Sequence, residues 1–185
     1  MAVSVNNTHL LATLRIPPPT IFGNSLGQRH IKANAYTTLV RPQLEYAASI
    51  WDPYTAVNQN KLEMIQRLAA RFCCNNYARK ASVTLMLEEL GWRSLLQRRA
   101  NLRLILFFKC LHGLVAVDIG RDLTPQRRDS RHAQPMSFNI PSETTQYLQK
   151  RFLSRTIAQW NALPPSIALS PSLDAFREGV SGITH

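Results

Sequence analysis

The stretch KLEMIQRLAARFCC, Lys61 to Cys74, decides the class of fold. Leu62, Ile65, Ala69 and Phe72 recur at steps of three, four and three, which lays them on one stripe of a helix. Glu63, Arg67 and Arg71 fall on the opposite face. Glu63 stands four residues before Arg67, so a solvent-facing ion pair accounts for part of that charge. Arg71 has no such acid upstream and is the better phosphate candidate. Cys73 and Cys74 end the helix, where one of them faces the core as a small hydrophobe.

Helical signals extend outward from this stretch in both directions. Upstream, Ile31, Ala35, Leu39, Leu44 and Ala48 recur at helical spacing from His30 to Ala48, with Pro42 placed to kink or split the helix before the turn at Asp52 and Pro53. Residues 1–29 carry a triple proline and no clean period and read as a poorly ordered lead-in. Downstream, Ser82 caps a short helix through Leu85, Leu87 and Leu90 that Gly91 stops, and Trp92 follows as a core anchor. Ser94 and Gln97 form a capping box that opens a long helix running to about His112 and ending at Gly113.

The first half of that long helix displays Arg98, Arg99 and Arg103 and reads as a basic surface; its second half, through Leu104 to Phe108, reads as the centre of a bundle. Residues 121–147 form a long basic loop with Arg127, Arg128 and Arg131, expected to order only on a partner. A helix from about Lys150 to Asn161 puts Leu153, Ile157 and Trp160 on one stripe and Arg151 and Arg155 on another, and Pro164 and Pro165 end it. Ser170 and Pro171 start a terminal helix carrying Leu173, Phe176 and Val180. The expected fold is all-α, an irregular bundle of five to six helices with a long basic loop and no convincing hairpin. Its parts are a lead-in (1–29), a helical domain (30–120), the basic loop (121–147) and C-terminal helices on the same core (148–185).

The charge balance points to an anionic partner. The formal net charge is +11, and 17 of the 22 cations are Arg, whose planar fork suits phosphate oxygens better than an ammonium does. Charge alone does not choose between DNA, RNA and an acidic protein, and a basic surface also serves solubility. Three cysteines without Cys-x-x-Cys spacing argue against a disulfide framework and a zinc site, and for a reducing compartment, cytoplasmic or nuclear. The longest apolar run, Leu104 to Phe108, falls far short of the ~20 residues that span a bilayer, so no membrane partner is expected.

No catalytic centre can be assembled from these residues. Two-metal chemistry needs converging carboxylates, whereas Asp52, Asp118, Asp122, Asp129 and Asp174 stand isolated in sequence and the adjacent Glu88 and Glu89 diverge by about 100° on a helix. The histidines show no metal spacing and no nearby nucleophile with an orienting acid; His112, two residues from Cys110, reads as structural. No enzymatic activity and no cofactor are therefore expected. Tyr77 beside Arg79 and Lys80 offers a stacking face next to cations, as single-stranded nucleic acid uses, while Trp51, Trp92 and Trp160 read as core anchors.

Several motifs occur together in a family-like order. The run AYTTLVRPQLEYA at 35–47, continued by Trp51-Asp52-Pro53, resembles the segment that follows the polymerase domain in LINE-type non-LTR retrotransposon reverse transcriptases of the jockey and chicken-repeat kind. Lys61-Leu62-Glu63 with Gln66-Arg67, Ala69-Ala70-Arg71-Phe72, Leu90-Gly91-Trp92 with Ser94-Leu95 and Arg98-Arg99, and Trp160-Asn161-Ala162-Leu163-Pro164 extend the resemblance over about residues 30–178. It implies a thumb-like and post-thumb helical region that holds template and primer beside a separate palm, the missing partner domain. The family's Tyr/Phe-x-Asp-Asp motif lies upstream of Leu39-Val40-Arg41-Pro42, and residues 1–29 contain no Asp or Glu, so a truncated, non-catalytic polymerase fragment is expected. The residues expected on nucleic-acid phosphates are Arg67, Arg71, Arg98, Arg99, Arg103, Arg151 and Arg155. The alternative is a packing remnant with no independent function, of unknown oligomeric state.

Overall fold

One helix organises the molecule. The computed structural model describes residues 26–126, 136–141 and 152–183. The helices are α1 (Leu26–Ala35), α2 (Arg41–Glu45), α3 (Ala48–Trp51), α4 (Ala56–Cys74), α5 (Val83–Glu89), α6 (Leu95–Leu111), α7 (Phe152–Asn161), α8 (Pro165–Ala168) and α9 (Leu173–Gly182). The class is all-α as expected, with more elements than five or six because the N-terminal segment breaks repeatedly. No strand occurs among the described residues, only an isolated antiparallel bridge between Pro125 and Phe138. No helix is long and apolar enough to cross a membrane among them.

α6 packs against α3, α4, α7 and α9 and threads two hydrophobic clusters. Its second half puts Leu104, Phe107 and Phe108 into the larger cluster with Ile157, Trp160, Leu163, Phe176 and Val180. The Phe107 and Trp160 rings lie 5.2 Å apart, and Phe108 stacks on Phe176 at 4.4 Å. Each such ring, fully buried, contributes about 1.5–3 kcal/mol of transfer free energy. Its first turn places Leu95 in a smaller cluster with Leu44, Leu62 and Ile65.

Local chemistry explains most helix ends. Ser82 and Ser94 accept from Leu85 N and Gln97 N, the N-cap bonds read from the sequence. The second half of the expected capping box is replaced: Gln97 Nε2 donates to the Ile183 carbonyl, and Glu63 Oε1 caps Leu96 N at 2.7 Å instead of pairing with Arg67. Gly91 and Gly113 hold φ of +65° and +63° just past α5 and α6, the left-handed C′ conformation that other residues adopt only with strain.

Pro42 breaks the first helix by widening it. Proline has no N–H and its ring crowds the carbonyl four residues back, so Tyr36–Val40 form a π-turn in which Arg41 N–H bonds Tyr36 O. The extra residue rotates the helix. Tyr36, Leu44 and Ala48 are buried, whereas Ile31 and Leu39 of the expected stripe are 68% and 66% exposed. Other elements also depart from the sequence reading. Met86 rather than Leu85 is the buried side chain of α5, and Trp51, read as an anchor, is 42% exposed and donates to Tyr46 O. The terminal helix starts at the Ser172 N-cap, two residues later than expected, because Ser170 Oγ bonds Ile167 O to finish α8. Among the described residues of the expected loop, Gln126 and Met136 to Phe138 are held by the chain itself. Phe138 is buried and exchanges hydrogen bonds with Asn161, Trp160 Nε1 donates to Met136 O at 2.7 Å, and Gln126 N bonds Ser137 O. Residues 1–25 of the lead-in, Arg127, Arg128, Arg131 and Arg151 lie outside the described residues.

Candidate functional site

Two of the three arginines of the expected basic surface on the first half of α6, Arg99 and Arg103, are interior, and Arg98 is partly buried. Arg99 and Arg103 lie one turn apart on the same face, and their side chains are 0% and 2% exposed. Both converge on Asp52, whose carboxylate is 2% exposed: Arg99 Nε donates to Oδ1 at 2.7 Å and Arg103 to Oδ2. From α7, Arg155 donates to Oδ2 at 2.8 Å and to the Asp52 carbonyl at 3.1 Å. Arg103 also donates to Gln159 Oε1 at 3.0 Å. Arg98 forks onto Glu45 of α2, with NH2 to Oε2 at 2.9 Å, a hydrogen bond that raises its already high pKa.

These pairs clamp the N-terminal helices onto α6 and α7 and give Arg98, Arg99, Arg103 and Arg155 acid partners within the chain. The cluster nevertheless carries three guanidinium groups on one carboxylate. Burial, reinforced by the neighbouring Arg155 and Arg99 charges, pushes the Arg103 pKa down to about 10 against the pull of Asp52. Arg99 NH1 and NH2 and Arg103 Nε have no hydrogen-bond partner among the described residues. The cluster opens onto a cleft of about 440 Å³ lined also by Ser49, Trp51, Tyr54, Asn58 and Phe152.

A second site lies on α4. Gln66, at a position the stripe left outside the core, is fully buried: its Nε2 donates to Arg93 O at 2.8 Å and its Oε1 accepts from Tyr36 OH at 3.3 Å. That bond fixes the turn before α6 next to Arg67. Arg67 is exposed, makes no ion pair among the described residues and lines a groove of about 490 Å³ with Asn60, Glu63, Thr84 and Ser94. Arg71 is half-buried and donates to the Ala78 carbonyl at 3.1 Å. It thereby positions the loop that presents Tyr77, Arg79 and Lys80. Those three residues and Arg93 are exposed. Arg93 was missed by sequence reading, which had no local pattern to connect it to Arg67.

No group of three or more His, Cys, Asp or Glu side chains could hold a metal among the described residues. Burial pushes the Cys73 thiol up to about 11 and raises Cys74 and Cys110, so none is an activated nucleophile. His112 stacks on Phe108 at 3.9 Å, with Nδ1 2.9 Å from the Phe108 carbonyl, a structural placement. Compared with protein-family models, curated proteins and solved structures, the chain matches none of them.

Proposed function

We propose that the chain is a non-catalytic helical module that grips the backbone of RNA or DNA with little sequence preference, as the resemblance to the post-polymerase region of LINE-type reverse transcriptases implies. The observation that carries this reading is the surface around α4. Arg67, Arg79, Lys80 and Arg93 are exposed and free of ion pairs among the described residues, and they sit on α4, the loop after it and the turn before α6. Tyr77, 44% exposed, supplies a stacking face in the same loop as Arg79 and Lys80. Of the seven arginines expected on phosphates, Arg67 is the one proposed in that role, and Arg71 positions the loop. Arg98, Arg99, Arg103 and Arg155 pair with acids of the chain, and Arg151 lies outside the described residues.

Fluorescence anisotropy on labelled RNA and DNA across a salt series tests the reading. Log K should fall with log salt by about 0.7–0.9 per phosphate contact, and an Arg67→Ala, Arg93→Ala pair should remove that increment twice. A flat salt response, or no binding at low salt, ends the proposal.

A packing role has its own support. Ile31, Leu39, Tyr46 and Ile50 are 68%, 66%, 78% and 84% exposed, an apolar set on the N-terminal helices that suits contact with another domain. Self-association abolished by Leu39→Ser with Ile50→Ser, measured by sedimentation, would favour this reading.

A further inference from the structure

We infer that the cleft bordered by Asp52, Arg103 and Arg155 is a binding site for a phosphate monoester carrying a planar ring, a nucleotide in the simplest case. Buried charge is stable only when paired and hydrogen-bonded, and here one carboxylate meets three guanidinium groups. The excess is two positive charges beside a cleft to which Arg103 and Arg155 both contribute. A carboxylate ligand would neutralise half of that excess; a phosphate dianion matches it and can take forked donation from arginine. Arg103 Nε and both terminal nitrogens of Arg99 are buried without a hydrogen-bond partner among the described residues, the mark of a centre whose positive donors outnumber its acceptors.

The rest of the cleft selects what the phosphate is attached to. Trp51 and Tyr54 are 42% and 49% exposed and line the cleft with Phe152, offering aromatic faces next to the cations. Ser49 and Asn58 add hydrogen-bonding groups at its wall. A volume of about 440 Å³ falls within the range of small-molecule sites. The cleft shares no lining residue with the Arg67 groove, so it stands apart from the strand-binding surface.

The test is a calorimetric titration of the full chain with a nucleoside 5′-monophosphate, the corresponding nucleoside and inorganic phosphate. The monophosphate should bind one site ~10-fold more tightly than phosphate and ~100-fold more tightly than the nucleoside. Tyr54→Ala, a half-exposed change outside the ion cluster, should weaken the monophosphate ~10-fold and leave phosphate unchanged. Arg155→Gln should weaken both, and because it also loosens the cluster, the ligand series and Tyr54→Ala decide the matter without it. The Arg67→Ala, Arg93→Ala pair should leave nucleotide binding intact, which separates failure of the strand-binding surface from failure of this site.

Competition then distinguishes the source of the phosphate. Displacement by a 5′-phosphorylated oligonucleotide but not by its 5′-hydroxyl form identifies a strand end; displacement by neither identifies a free nucleotide. Equal competition by both strands, equal affinity for nucleoside and monophosphate, unchanged discrimination in Tyr54→Ala, or no saturable binding at millimolar concentration would each overturn the assignment.

Discussion

Arg67 on α4 and Arg99 on α6 are the same residue type on well-formed helices, yet one stands in solvent without an ion pair among the described residues and the other is sealed around a carboxylate. The first region is available to a partner and contributes little to stability. The second ties together segments 47 to 103 residues apart in the chain, with most of its charge buried. A net charge of +11 is therefore not a measure of binding surface. What counts is how many cations remain once the chain's own acids have chosen their partners.

Substitutions can break this contrast, beginning with its strongest element. Asp52→Asn leaves three buried guanidinium groups facing a neutral amide and should cost about 3–5 kcal/mol in chemical denaturation. Arg99→Met, which keeps the stem's volume and lowers the charge excess, should cost clearly less, about 1–2 kcal/mol. Equal losses for the two would show that the positive excess is no burden. Gln66→Leu, one residue from exposed Arg67, strips the Arg93 carbonyl and the Tyr36 hydroxyl of a buried partner and should cost about 1–3 kcal/mol. Arg67→Ala should stay within ~0.5 kcal/mol of the parent while lowering the salt slope of nucleic-acid binding.

The smallest effect repeats the contrast within one dipeptide. Cys73 is buried and Cys74 only half so, and a thiol reagent should therefore modify Cys74 first. The folded Cys73 pKa lies near 11 against an ordinary 9.0, so the folded state holds its proton where the unfolded chain has lost it. Stability should consequently fall as pH rises from about 9 to about 11, and Cys73→Ala should lessen that fall.

Legibility followed the range of the interaction. The caps at Ser82 and Ser94, the glycines after α5 and α6, and the stripes of α7 and α9 are settled within four or five residues, and each was readable. The register of the first helix was not: Ile31 and Leu39 face solvent and Tyr36 the core, while Leu44 and Ala48 beyond the π-turn are buried as read. The buried arginines were also misread. On a helical wheel, Arg98, Arg99 and Arg103 resemble any solvent face, and Asp52 looks isolated because its partners are distant in the chain.

The amino-acid sequence alone determined that this protein is helical, where α5 and α6 start and stop, and which half of the long helix centres the apolar core. Those properties come from backbone geometry, caps and periodic hydrophobicity, which act over a turn or two of chain. Only the tertiary structure decided which cations stay exposed and which are drawn to an acid. Ion pairing is a matter of distance in space, and the packing of α6 against α3 and α7 brings Arg99, Arg103 and Arg155 to Asp52.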